Sequence, residues 1–267
     1  MDYKHKKKYG QNFLNDSEIL ERIIEVSNVT KDDFILEVGP GDGALTELLI
    51  ENAKNVLSVE VDKDLVPILE KKFKDKDNFK LILKDILELD INNEVEGKAK
   101  VVANIPYYIT SPIINKFIEN RDKINEIYIM IQKEVALRIV AKAGVKDRSI
   151  LTLAIEYFGE SELLFYIPKE KFTPSPKVDS AFIKIKLRKD KKYENIISEE
   201  KFMKFVKGAF ANKRKNILNN IKMMGYDKDI VKRVFDEKNI DTNKRAEDFT
   251  IDEFIEMINI IEKEMIK

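Results

Sequence analysis

Five short apolar runs, Phe34–Val38, Val56–Val61, Phe79–Leu83, Val101–Ala103 and Ile127–Ile131, are separated by longer mixed-charge segments with apolar residues at helical spacing, such as Leu45–Ile50 and Leu65–Phe73. Strands that alternate with helices pair in parallel, so this pattern restricts the chain to an α/β fold with a doubly wound sheet. Ahead of the first run, Asp16-Ser17-Glu18 followed by Ile19, Leu20, Ile23 and Ile24 reads as an amphipathic helix with a capping side chain at its start.

Beyond Ile183 the pattern changes. Residues 184–192 read as a charged stretch, and from Ser198 onward only helical periodicity remains. Phe202, Phe205, Val206 and Phe210 share one face, and Ile251, Phe254, Ile255, Ile258 and Ile261 form another; such stripes are expected to be core. With 267 residues there is room for one full α/β domain plus a smaller lobe. The boundary is expected near residue 190, giving domains 1–190 and 191–267.

The chain has no cysteine, which excludes disulfides, thiolate nucleophiles and cysteine-ligated metals. The basic start, residues 1–8, is followed by no apolar stretch or small-residue cleavage site, and no apolar run approaches the ~20 residues a bilayer needs. A soluble, cytoplasmic, metal-free protein is expected. Lys plus Arg equals Asp plus Glu at 48 each, so net charge says nothing about partners, but its distribution does. Between Lys201 and Lys222 lie seven basic residues and no acid, whereas residues 247–267 carry seven acids against two lysines. One face of the second lobe is expected to be positive, either as a solvated helix face or as a polyanion contact.

The first apolar run ends in Glu37-Val38-Gly39-Pro40-Gly41-Asp42-Gly43, and a helix is expected from about Ala44. Glycines here permit a tight turn and let a ligand approach the backbone without Cβ atoms in the way. The next run closes with Val59-Glu60-Val61-Asp62, about 20 residues on, where a carboxylate can accept both ribose hydroxyls of an adenosine. The Gly-x-Gly-x-Gly spacing differs from the Gly-x-Gly-x-x-Gly that seats a pyrophosphate, which favours S-adenosylmethionine over a dinucleotide. Asp85 reads equally as an acceptor for the adenine amine and as a helix-cap or loop aspartate.

The fourth run leads directly into Asn104-Ile105-Pro106-Tyr107, at the carboxyl end of a strand, where open α/β sheets hold their ligands. An exocyclic adenine amine is a poor nucleophile because its lone pair is delocalised into the ring. The Asn104 side-chain oxygen and a main-chain carbonyl near Ile105 or Pro106 can accept both amine hydrogens and localise that pair toward a sulfonium methyl. Tyr107 supplies a flat face for the base, and Pro106 fixes the turn. A base stacked in a helix cannot enter such a pocket, so the target must be flipped or lie in a loop.

With these residues the chain resembles the ribosomal RNA adenine dimethyltransferases, and in particular the bacterial small-subunit members. Besides Glu37–Gly43 and Asn104–Tyr107, the resemblance covers residues 8–14, 131–135, 172–180 and 209–215, and Arg245-Ala246-Glu247. It implies a Rossmann-like class I methyltransferase domain with a smaller, all-helical C-terminal domain. It further implies that Gln11, Asn12, Leu14, Gly39, Gly41, Glu60, Asp85 and Asn104 surround S-adenosylmethionine, and that Phe172 packs on the target base opposite Tyr107. Lys213, Arg214 and Lys215 are the expected RNA contacts. The implied substrate is a pair of adjacent adenosines in a hairpin loop near the 3′ end of small-subunit RNA, each dimethylated, within an immature subunit; a monomer is expected. Tyr108 departs from the pattern, since many relatives carry asparagine there, and the neutral overall charge requires local basic patches to carry RNA binding. Two other readings stand beside this one: a macrolide-resistance-type methyltransferase of large-subunit RNA, and an assembly factor in which catalysis is secondary.

Overall fold

The computed structural model describes residues 11–266. Residues 8–10 of the N-terminal motif and the basic start lie outside the described residues. The strands are β1 (Phe13–Leu14), β2 (Phe34–Val38), β3 (Asn55–Glu60), β4 (Phe79–Leu83), β5 (Ala99–Asn104), β6 (Ile124–Gln132), β7 (Gly159–Ile167), β8 (Phe172–Thr173) and β9 (Ser180–Leu187). The helices are α1 (Ser17–Ser27), α2 (Ala44–Asn52), α3 (Val66–Phe73), α4 (Ile91–Glu94), α5 (Thr110–Glu119), α6 (Lys133–Ile139), α7 (Ile150–Phe158), α8 (Glu199–Ala209), α9 (Ile217–Met223), α10 (Lys228–Glu237) and α11 (Ile251–Ile266).

Two compact units result. Of the described residues, the first comprises 11–136 and 161–187 and contains a seven-stranded sheet in the order β4-β3-β2-β5-β6-β9-β7. The five strands expected from the sequence form its parallel part, β4 to β6. They read as near-continuous apolar runs because helices cover both faces of such a sheet. Chain order reverses between β2 and β5, so their carboxyl ends diverge and leave a crevice. Helix α1 starts where expected, with Asp16 Oδ1 accepting the Ile19 N–H, and it buries Leu20 and Ile23 in the core with Leu49, Leu69 and Val102. Residues 184–187, read from the sequence as part of a charged stretch, complete β9, antiparallel to β6. Its lysines alternate with buried Ile183, Ile185 and Leu187, and Lys184 is neutralised by Glu126 at 2.9 Å.

The second unit comprises residues 137–160 and 188–267. The aromatic stripes are its core: Phe202, Phe205, Phe249 and Phe254 are fully buried, and Tyr157 stacks on Phe202 at 4.5 Å between ring centroids. The single boundary expected near 190 is therefore corrected, since the chain passes between the units three times, after residues 136, 160 and 187. The cause is Arg148, 1% exposed, which donates from Nε to the Phe249 carbonyl (3.1 Å) and from Nη1 to the Ala141 carbonyl and Glu156 Oε1 (both 2.8 Å). A buried guanidinium with this many acceptors fixes residues 137–160 to the C-terminal helices. Among the described residues, no helix is long and apolar enough to cross a membrane.

Candidate active site

A cleft of about 740 Å³, open to solvent, lies at the carboxyl ends of β2, β3, β4 and β5. Of the residues expected around a cofactor, Gln11, Asn12, Gly39, Gly41, Glu60, Asp85 and Asn104 line it. Leu14 does not; it borders a smaller adjoining pocket that shares Gly39, Gly41 and Asn104.

The turn after β2 depends on backbone conformations that side chains disfavour. Gly39 has φ 68°, and its N–H donates to the Val59 carbonyl at 2.9 Å, which pins the turn to the end of β3. Gly43 has φ 81° at the start of α2, and a Cβ there would stand 2.8 Å from the Phe73 ring. Below the turn Glu37 is sealed from solvent, with its Oε2 accepting from Thr46 Oγ1 at 2.8 Å and Ser58 Oγ at 2.6 Å. Burial pushes its carboxyl up to about 7; the two hydroxyls pull it back only in part, and Glu60 nearby adds to the rise.

Glu60 ends β3, 4% exposed, with Oε1 accepting the N–H groups of Val61 (2.9 Å) and Asp62 (2.8 Å). Burial raises its pKa, opposed by backbone N–H donors from Asp62, Gly41 and Val61. Two residues on, the fully buried Asp62 accepts from Gln11 Nε2 at 3.0 Å, so Gln11 reaches the cleft through a carboxylate to which the sequence reading gave no role. Asp85 lines the cleft while its Oδ1 accepts the Leu87 N–H at 2.9 Å, capping the short turn 86–88. The cap left open in the sequence is present, and it occupies one of the two oxygens.

Asn104 is the last residue of β5, and its Nδ2 donates to the Asn12 carbonyl at 3.0 Å. With the amide nitrogen committed, Oδ1 is the acceptor left to the cleft. Next, the Pro106 carbonyl accepts the Ile109 N–H at 3.3 Å, and the Tyr107 carbonyl accepts from Thr110 Oγ1 at 3.2 Å, which locks the turn into α5. The Tyr107 hydroxyl pairs with Ser180 Oγ, on the first residue of β9. Burial raises the phenol pKa, so Tyr107 is a neutral ring and not a base at physiological pH. Ser180 and Asp62 support the site through pairings distant in sequence; both lie in stretches singled out above, but neither was given a role of its own.

Phe172 is not brought to the cleft. It is 3% exposed, lies opposite Leu14 in the β1/β8 ladder and belongs to the core cluster with Leu14, Leu20 and Phe165. Among the described residues Phe172 therefore forms no wall of the cleft opposite Tyr107, because a two-residue strand turned toward the core buries its larger side chain.

In the second unit Lys213, Arg214 and Lys215 occupy the exposed turn between α8 and α9. The buried Asn220 holds that turn, donating from Nδ2 to the carbonyls of Ala209 (2.7 Å) and Asn212 (3.1 Å). The acids of α11 are largely neutralised nearby: Glu253 by Lys244 at 3.6 Å, Glu262 by Lys201 at 2.7 Å and Glu264 by Arg233 at 3.2 Å.

Residues 2–263 match a family model described as ribosomal RNA adenine dimethylase. The chain belongs to that family. As a member, the enzyme is a methyltransferase of ribosomal RNA adenines. It is 60% identical over 263 residues to "Ribosomal RNA small subunit methyltransferase A" of Fusobacterium nucleatum, covering 98% of this chain and 99% of the relative. A protein of the same name from Clostridioides difficile is 40% identical over 266 residues, covering 97% and 92%. Among solved structures, a dimethyladenosine transferase from Plasmodium falciparum superposes with TM-score 0.80 at 24% identity, covering 95% of this chain and 98% of that one. A structure described as 23S rRNA methyltransferase ErmE gives TM-score 0.76 at 25% identity, covering 94% and 100%.

Proposed function

We propose that the enzyme uses S-adenosylmethionine to dimethylate the N6 amines of two adjacent adenosines in a hairpin loop near the 3′ end of small-subunit ribosomal RNA, on an immature subunit. The observation that carries the chemistry is Asn104, whose Nδ2 is tied to the Asn12 carbonyl and whose Oδ1 is thereby left to the cleft beside the half-buried Tyr107 ring. The small-subunit assignment rests on relatives of that name at 60% and 40% identity, against 25% for the 23S enzyme.

The residues of the cleft suit the cofactor. Gly39 and Gly41 present bare backbone, and Glu60 has one oxygen held by two N–H groups and a second for ribose hydroxyls. Asp85 retains an oxygen beyond its cap for an adenine amine. When bound, S-adenosylmethionine supplies an electrophilic methyl on sulfonium. The chain's own part is to present the nucleophile. Asn104 Oδ1 and the Ile105 carbonyl accept the two N6 hydrogens, since the Pro106 carbonyl already serves Ile109. This draws the nitrogen toward a tetrahedral shape and stabilises the positive charge that develops on it. Tyr107, neutral and held by Ser180, fixes the ring plane. No strong base is needed, because the methylated amine is acidic and can release its proton to water. At the second transfer N6 carries one hydrogen, so only one of the two acceptors is then engaged. Lys213, Arg214 and Lys215 contribute phosphate contacts.

The test is transfer of labelled methyl from S-adenosylmethionine to unmethylated small and large ribosomal subunits, followed by nucleoside analysis. Label in small-subunit dimethyladenosine supports the proposal. Label in the large subunit replaces it with the large-subunit activity, and no label in either, despite cofactor binding, replaces it with a binding role.

A further inference from the structure

We infer that Tyr108 is a stacking platform for the nucleotide next to the target adenosine, and so helps determine which RNA the cleft accepts. The inference rests on the proposed function and extends it outward from the pocket. Among the described residues three aromatics line the cleft, Phe13, Tyr107 and Tyr108. Phe13 and Tyr107 are partly buried, whereas Tyr108 is 60% exposed. A flipped base goes inside, but the nucleotides joined to it stay at the entrance, and an unstacked neighbour must find another face or leave its own to water. Every base has a π-face, so an exposed tyrosine at that entrance takes the neighbour whatever its identity.

The backbone beneath Tyr108 is already fixed. It lies in the one-turn helix Tyr107–Ile109, closed by the Ile109 N–H on the Pro106 carbonyl and by Thr110 Oγ1 on the Tyr107 carbonyl. A platform on a preorganised turn costs little entropy to use. The tandem Tyr107-Tyr108 thus divides one task between an inner ring, held by Ser180 against the target, and an outer ring for the adjoining base. For a substrate with two adjacent adenosines, whichever is not in the pocket is the natural occupant of the outer ring.

The full-length enzyme, as wild type, Tyr108→Ala and Tyr108→Phe, would be compared on unmethylated small subunits, with S-adenosylhomocysteine affinity measured by calorimetry. Loss of one base–aromatic stack is expected to raise KM for the subunit about tenfold in Tyr108→Ala, with a smaller change in kcat. Partly modified subunits carrying only one dimethyladenosine should accumulate, Tyr108→Phe should restore wild-type behaviour, and the affinity for S-adenosylhomocysteine should hold. An unchanged KM and product distribution in Tyr108→Ala overturns the platform, as does a parallel loss of S-adenosylhomocysteine affinity, which would assign the ring to the cofactor. Failure of Tyr108→Phe to restore activity also overturns it, because the hydroxyl and not the face would then matter. Absence of transfer by the wild type overturns instead the function on which the inference rests.

Discussion

The glycines of the turn after β2 serve different purposes, and alanine at two of them should separate these. Gly39 and Gly43 both have positive φ, at 68° and 81°, so each alanine pays the left-handed penalty of about 1–2 kcal/mol. At Gly43 the added Cβ would also meet Phe73 at 2.8 and 2.9 Å and Leu69 at 3.1 Å. Overpacking of that kind adds about 1–3 kcal/mol, for a total near 2–5 kcal/mol. At Gly39 the nearest atom is the Asn104 carbonyl oxygen at 3.7 Å, an ordinary contact, so stability falls only by the conformational part. But Gly39 lines the cleft, and its new methyl stands where a ligand would lie, so S-adenosylhomocysteine should bind roughly tenfold or more weaker. Stability is read from urea unfolding by far-UV circular dichroism, since the chain has no tryptophan, and affinity from calorimetry. In Gly43→Ala/Phe73→Leu the steric part should be relieved, leaving the double variant less destabilised than the sum of the single changes by about 1 kcal/mol or more. Equal destabilisation by the two alanines, or strict additivity in that cycle, would refute this division.

Asn104→Ala should lower kcat by about 10² while RNA binding persists, as expected for removal of a preorganised dipole; unchanged turnover in the labelled-methyl assay would remove Asn104 from the chemistry. Replacing Lys213, Arg214 and Lys215 by alanine should weaken RNA binding and flatten its dependence on log salt by about 1 per lost phosphate contact, measured by filter binding across a salt series, with an unaltered slope counting against the turn. For Glu37, the folded-state value near 7 against 4.5 in the unfolded chain means that the folded protein holds an extra proton between those pH values. Its contribution to stability therefore falls as pH rises through about 4.5 to 7, by on the order of 3 kcal/mol. Denaturant midpoints from pH 5 to 8 should show Glu37→Gln gaining on the wild type across that window; parallel profiles would mean that the carboxyl titrates normally.

Strands β2 and β4 have the bounds read from the sequence, β2 as a buried run and β4 as a partly exposed edge strand that Phe79, Leu81 and Ile82 still mark. Strand β9 was half hidden because one of its faces carries Lys184 and Lys186, and cross-strand pairing rather than composition accommodates them. The glycine turn, Glu60 and Asn104 were legible as residues of one cleft, because a turn with positive φ demands glycine and the other two end neighbouring strands. Ser180 and Asp62 were not, since each acts through a partner 73 or 51 positions away. Phe172 shows the opposite failure: its motif was visible, but its burial depends on pairing with Leu14, which no local pattern encodes.

The buried guanidinium of Arg148 also bears on how this enzyme can be recombined with its relatives. A chimera that exchanges only residues 188–267 would transplant the Phe249 carbonyl but leave behind Arg148, Ala141 and Glu156, splitting one polar cluster between two parents. The helical body is a discontinuous unit, residues 137–160 together with 188–267, and its polar cluster stays whole in a chimera only when both pieces travel together.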